Sequence, residues 1–99
     1  MPRNKLDTAE IERALEALEG WKLREGRLYR DLRFAGFPEA FSFMTAMALV
    51  SESMNHHPDW KNVYDRVEIE LSTHDAGGVS ELDLQWAERA EALYARAFE

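Results

Sequence analysis

The chain has 99 residues, of which 12 are Lys or Arg and 19 are Asp or Glu, so its formal net charge is −7. A phosphate backbone is bound by a basic face, so direct nucleic-acid binding is not expected. Hydrophobic residues make up 45% and charged residues 31%, a globular rather than a disordered balance, and the length fits one domain, expected to span residues 1–99.

There is no cysteine, which excludes disulfide scaffolds, thiolate nucleophiles and Cys-based zinc sites. No run approaches the roughly 18 apolar residues of a membrane span. The segment Met1-Pro2-Arg3-Asn4-Lys5-Leu6-Asp7 lacks the apolar core of a signal peptide. A cytoplasmic protein with no membrane partner is therefore expected. A chain this short buries only about 60–65% of its unfolded surface, so assembly into an oligomer would add stability.

Residues 7–19 are predicted to form a helix. Asp7 caps it, Glu10 completes the capping box, and Ile11, Ala14, Leu15 and Leu18 share one face. Gly20 ends it. Trp21 and Leu23 then alternate with Lys22 and Arg24 as a strand, and Glu25-Gly26 reads as a hairpin turn. Leu28, Leu32 and Phe34 share the inner parity of the next strand. Arg30 breaks that parity, which an edge position would tolerate.

Phe37 to about Asn55 is the second helix, with Pro38 in its first turn. It carries two apolar stripes: Phe37, Phe41, Met44 and Ala48, and Ala40, Phe43, Met47, Val50 and Met54. One stripe faces the sheet, and the other needs a second cover. Asn62-Val63-Tyr64 is a short strand, Asp65-Arg66 a turn or bulge, and Val67, Ile69 and Leu71 the inner face of a clear strand. Residues 75–78 are a loop. Ser80 caps the last helix with Asp83 at its third position, and Leu82, Trp86, Ala90, Leu93 and Ala97 are its expected buried stripe. The order α-β-β-α-β-β-α, joined by hairpins, predicts an antiparallel sheet with helices on one face, a two-layer α+β fold.

The three histidines, His56, His57 and His74, lie at element ends, where functional groups collect. Imidazole exchanges protons near neutrality, so such a group suits general acid–base catalysis. A loop histidine is, by default, solvated and idle. Zinc binding is the other functional reading, but adjacent histidines rarely converge on one ion and no i, i+4 pair occurs. Glu52, four residues before His56, is either a solvated helix face or a support for an imidazole. Asp83 is explained by capping. Trp21 and Trp60 are either core or stacking platforms for a flat heterocycle.

The stretch Glu52-Ser53-Met54-Asn55-His56-His57-Pro58-Asp59-Trp60, then Asn62-Val63-Tyr64, Leu71-Ser72-Thr73-His74 and Gly78-Val79-Ser80-Glu81-Leu82-Asp83 resembles the pterin-4a-carbinolamine dehydratases. The likeness extends back through Gly20-Trp21 and Phe41-Ser42-Phe43-Met44 and covers nearly the whole chain. It implies a four-stranded antiparallel sheet with three helices on one face. It also implies a homodimer or homotetramer, for which the surplus stripe of the second helix is available.

The implied reaction is dehydration of 4a-hydroxytetrahydropterin to quinonoid dihydropterin and water. That reaction recycles the pterin of aromatic amino acid hydroxylases and needs no metal or organic cofactor. By the same resemblance His56 and His74 are the acid–base pair. His57 binds and orients the pterin with some catalytic share. Asn55, Ser72, Thr73 and Asp75 line the pocket, partly through backbone groups, Glu52 supports the histidines, Trp21 matches a family tryptophan near the pocket, and Asp83 caps and shapes the loop after His74. Two positions depart from the animal enzymes: Asn55 stands where an aspartate is common, and Leu82 where a basic residue is common. Animal members also act as dimerisation cofactors for a homeodomain transcription factor through a helix surface. A protein-binding module, or a pterin-binding protein of another pathway such as molybdopterin metabolism, is therefore an alternative.

Overall fold

A computed structural model describes residues 4–99; residues 1–3, where the domain and leader expectations begin, lie outside the described part. In chain order the elements are α1 (Thr8–Leu15), β1 (Lys22–Arg24), β2 (Arg27–Arg33), α2 (Phe37–Met54), β3 (Asp59–Val63), β4 (Arg66–Leu71) and α3 (Glu81–Ala97). The strands form one antiparallel sheet of order β1-β2-β4-β3, and the three helices cover one face of it. This is the expected α-β-β-α-β-β-α architecture.

Asp7 and Glu10 cap α1 reciprocally, at 2.8 and 3.0 Å. The regular helix ends at Leu15, short of the expected residue 19. Beyond it the N–H groups of Glu16, Ala17 and Leu18 bond three residues back, so the chain tightens into 3₁₀-like turns. That winding turns Leu18 and Trp21 into the core together. Gly20 follows at φ +94°, and a Cβ there would lie 2.5 Å from Cζ of Arg30. The backbone favours glycine there, and a side chain would displace the tip of Arg30. Glu25 (φ 53°) and Gly26 (φ 78°) form the two-residue turn that sets Arg24 opposite Arg27.

Leu28 and Leu32 of β2 are fully buried. Arg30 is a correction. β2 pairs on both sides, so no edge excuses an inward charge. Instead the Arg30 guanidinium donates to Glu91 of α3 at 2.6 and 3.4 Å, and the Trp21 indole N–H donates to the same carboxylate at 2.7 Å. An inward charge is tolerated when it is paired in this way.

Ala40, Phe43 and Met47 of α2 are completely buried against the sheet, while Phe37 and Phe41 of the other stripe are about half exposed. Ser51 continues the buried stripe; its hydroxyl donates to the Met47 carbonyl and accepts from the Trp86 indole N–H at 2.8 Å. This bond ties α2 to α3. Asn55 ends α2 in the left-handed region, at φ 51°.

β3 begins three residues before the expected Asn62 and its turn falls at Tyr64-Asp65. Its first half shows little pattern because Asp59 and Lys61 point to solvent and Trp60 is the one large inward group. Trp60 meets the ring of Trp86 edge-on, with centroids 6.0 Å apart, which makes it part of the packing. The expected loop after β4 holds one 3₁₀ turn, His74–Ala76. The buried stripe of α3 is also rotated: Leu84, Trp86, Ala87 and Ala90 are buried with Asp83, whereas Leu82 and Leu93 are half-buried and Ala97 is exposed.

Candidate active site

Register places the three histidines at one end of the sheet. Asp59 pairs with Glu70 and Leu28 with Leu71. The residues before β3 (55–58), those after β4 (72–75) and the β1–β2 turn therefore share that end. The chain then folds back, with Thr73 N–H donating to the Gly78 carbonyl at 2.7 Å, and returns the start of α3 to the same place.

A buried polar network joins these segments. The Asp83 carboxylate, with no exposed surface, accepts from the Ser80 backbone N–H and the Thr73 hydroxyl at Oδ2, each at 2.8 Å. Its Oδ1 lies 2.5 Å from Nε2 of His56. The Thr73 hydroxyl also meets the Ser80 hydroxyl at 2.6 Å. Asp83 thus does more than the expected capping: one oxygen caps α3 and the other holds an imidazole. His56 itself is buried, and its backbone N–H donates to the Ser51 carbonyl. A buried carboxylate that accepts charge-assisted hydrogen bonds on both oxygens fixes its partners tightly.

The other predicted residues surround this core. His57 points outward, and its Nε2 lies 3.0 Å from Glu52. Glu52 thus meets one of the three histidines, His57. His74 is exposed and lines a cleft of about 330 Å³ with Lys5, Glu25, Arg27 and Ser72. Asn55 and Asp75 are exposed on either side, at the end of α2 and in the 3₁₀ turn. Trp21 is a correction. It is 5% exposed, packs in the core and gives its N–H to Glu91, so its ring offers no face to a heterocycle. Among the described residues no group of three or more His, Asp or Glu side chains is disposed to hold a metal ion.

Sequence reasoning missed Ser80 as part of the site and gave Asp83 a supporting role through capping, not through His56. The capping spacing was the only signal, and it reports one carboxylate oxygen, not the second. A further polar cluster lies on the open face of the sheet. There the Tyr29 hydroxyl donates to Glu68 at 2.7 Å, and the Arg24 guanidinium lies 3.7 Å above the Tyr29 ring. The Tyr29 hydrogen bond holds the Glu68 carboxyl below its ordinary range, and the same bond, with burial, pushes the Tyr29 hydroxyl up. Those groups largely neutralise one another and lie on the face away from His56.

An antiparallel α+β domain with histidines gathered at one sheet end defines a class with precedent. The family profile described as Pterin 4 alpha carbinolamine dehydratase matches residues 4–93. A protein of Solibacter usitatus, provisionally named pterin-4-alpha-carbinolamine dehydratase, is 50% identical over 91 residues, which are 92% of this chain and 96% of that one. A protein of Synechococcus with the same provisional name is 51% identical over 88 residues, 89% of this chain and 95% of the relative. The crystal structure of a transcriptional coactivator/pterin dehydratase from Brucella melitensis superposes with a TM-score of 0.88 at 42% identity, covering 91% of this chain and 98% of that one. A pterin dehydratase-like protein described as a RuBisCO assembly factor of the alpha-carboxysome superposes with a TM-score of 0.61 at 26% identity, covering 74% and 84%. The chain belongs to the pterin-4a-carbinolamine dehydratase family.

Proposed function

We propose that the protein dehydrates 4a-hydroxytetrahydropterin to quinonoid dihydropterin, with the histidines at the sheet end as the acid–base groups. The observation that carries this reading is His56, held on a buried carboxylate at the same end of the sheet as His57 and His74. The reaction asks for little else. The C4a–O bond breaks, and an imidazolium gives its proton to the departing hydroxyl as water forms. A neutral imidazole takes the N5 proton, and the N5–H electron pair becomes the new bond between N5 and C4a. One proton is delivered, one is removed, and no electron is exchanged with an outside partner. The elimination therefore asks for two groups that titrate near neutrality, and imidazole does.

In this proposal His56 and His74 move the protons, and His57, steadied by Glu52, orients the ring. Asn55, Ser72 and Asp75 line the pocket, and Thr73, whose hydroxyl is spent on Asp83, lines it through its backbone. Recycling a hydroxylase's pterin in the cytoplasm, as a dimer or tetramer, is the physiological setting this implies. The test is dehydration of carbinolamine generated in place by a hydroxylase. Quinonoid product should form faster with the protein, and His56→Ala and His74→Ala should each remove most of the gain while remaining folded. A folded wild-type protein without effect would refute the proposal.

One observation favours a second reading, a protein-binding module. Phe37 and Phe41 are about half exposed and Leu49 is 71% exposed on one face of α2, and a face of that kind suits a protein partner. Partner binding would then survive His74→Ala and fail on Phe41→Ser.

A further inference from the structure

Counting hydrogens in the buried network leads to one atom of His56. Thr73 has a single hydroxyl hydrogen, and it goes to Asp83 Oδ2 at 2.8 Å. At the 2.6 Å contact between the two hydroxyls, Ser80 must then be the donor and Thr73 the acceptor. The Ser80 backbone N–H also donates to Oδ2, at 2.8 Å. Two donors therefore point at Oδ2, the arrangement an ionised carboxylate takes, and an ionised carboxylate only accepts at Oδ1 as well. The hydrogen between Oδ1 and His56, 2.5 Å apart, belongs on Nε2. Neutral His56 is then the Nε2–H tautomer, with its lone pair on Nδ1.

Exposure locates that lone pair. Among the described residues no buried side-chain nitrogen or oxygen lacks a hydrogen-bond partner. Nδ1 of His56 makes no hydrogen bond to a described residue, so it must touch solvent. The side chain is only 8% exposed, and Nδ1 has a share in that opening. The ring is thus sealed at one nitrogen and open at the other.

We propose that Ser80 and Thr73 are positioning residues. A one-way chain of hydrogen bonds, Ser80 to Thr73 to Asp83, with His56 donating from the far side, fixes the His56 tautomer and presents Nδ1 as its proton-handling atom. The catalytic half of this inference rests on the dehydratase reading; the tautomer half does not. The reason the arrangement matters is geometric. A histidine whose tautomer is free spends part of its time presenting N–H where a lone pair is needed. Packing around Thr73 and Ser80, both buried, keeps the donors aimed without solvent competition.

The experiment is nitrogen NMR of the imidazoles in the free protein, above the pH at which they are protonated, alongside steady-state turnover. Wild-type His56 should show a protonated, pyrrole-like Nε2 and an unprotonated, pyridine-like Nδ1. Thr73→Val, which keeps the shape of the side chain, and Ser80→Ala should each let the second tautomer appear. Each should lower kcat about tenfold with KM changed less than about twofold. Ser80→Thr, which keeps the hydroxyl and the cap, should restore the wild-type spectrum. A wild-type His56 protonated at Nδ1 would overturn the inference. So would folded Thr73→Val and Ser80→Ala proteins with wild-type spectrum and kcat. A wild-type spectrum as expected, in a protein that turns over no carbinolamine, would support the tautomer half and reject the dehydratase reading and the catalytic half with it.

Discussion

Replacing Asp83 with asparagine changes one atom of a buried network and has two readable consequences. The carboxylate accepts from Ser80 N–H, Thr73 O–H and His56 Nε2. The amide has one oxygen and one NH₂ in the same volume. If its NH₂ faces Ser80 and Thr73, donors meet donors, and each stranded buried group costs about 1–3 kcal/mol. The cheaper arrangement turns the NH₂ toward His56, which must then accept at Nε2 and carry its hydrogen on Nδ1. Even so, hydrogen bonds to a charged acceptor become bonds to a neutral one, a loss of about 1–3 kcal/mol in total. For a domain of this size each kcal/mol moves Tm by about 4–8 °C, so thermal unfolding should shift down by about 5–20 °C. Turnover should fall further than stability alone explains. An acid–base group contributes about 10²–10⁴-fold, and the wrong tautomer removes it, so kcat should drop by at least about 10²-fold at a temperature where the variant is folded. A folded Asp83→Asn protein with wild-type kcat would refute the reasoning and leave Asp83 as a helix cap.

Three more outcomes follow from the geometry. His57→Ala should leave Tm nearly unchanged, since an exposed side-chain contact such as that with Glu52 contributes about 0–1 kcal/mol, yet should raise KM; a large loss of Tm would make His57 structural. Gly20→Ala should lower stability by about 1–3 kcal/mol, because the position holds φ +94° and its Cβ would press on Arg30; an unchanged Tm in thermal unfolding would contradict this. Glu68 titrates below its ordinary value in the fold, chiefly through the Tyr29 hydrogen bond, so the stabilisation is complete above the unfolded value of about 4.3 and is lost as pH falls through the lower folded value. Tyr29→Phe should therefore flatten the acid side of a Tm-against-pH curve, and an identical curve would show that the bond contributes nothing.

Much of the architecture was legible because periodicity and caps report burial directly. The alternation of Val67, Ile69 and Leu71, the Ala40-Phe43-Met47 stripe and the two capping boxes each say which side faces inward. What escaped was decided by contacts distant in sequence. Arg30 reads as an anomaly until Glu91, 61 residues later, is seen to meet it. The first three residues of β3, Asp59 to Lys61, escape because a polar edge strand shows little alternation beyond Trp60. The α3 stripe was legible at Trp86 and Ala90 but not at Leu84 and Ala87, because the capping spacing of Asp83 says nothing of its inward contact with His56. The histidines were legible as a group through their positions at element ends. Their unequal environments were not: His56 is buried on a carboxylate, while His57, one residue on, is exposed beside Glu52.

The central claim is that the end of the sheet bearing His56, His57 and His74 binds the pterin. The measurement that tests it most directly is titration of the isotopically labelled protein with a stable dihydropterin, followed by amide NMR. The expected shifts fall at residues 55–58 and 72–75 and on the start of α3, and saturate with dihydropterin concentration. Saturable shifts confined to the Phe37–Leu49 face of α2, or none at all, would contradict the account.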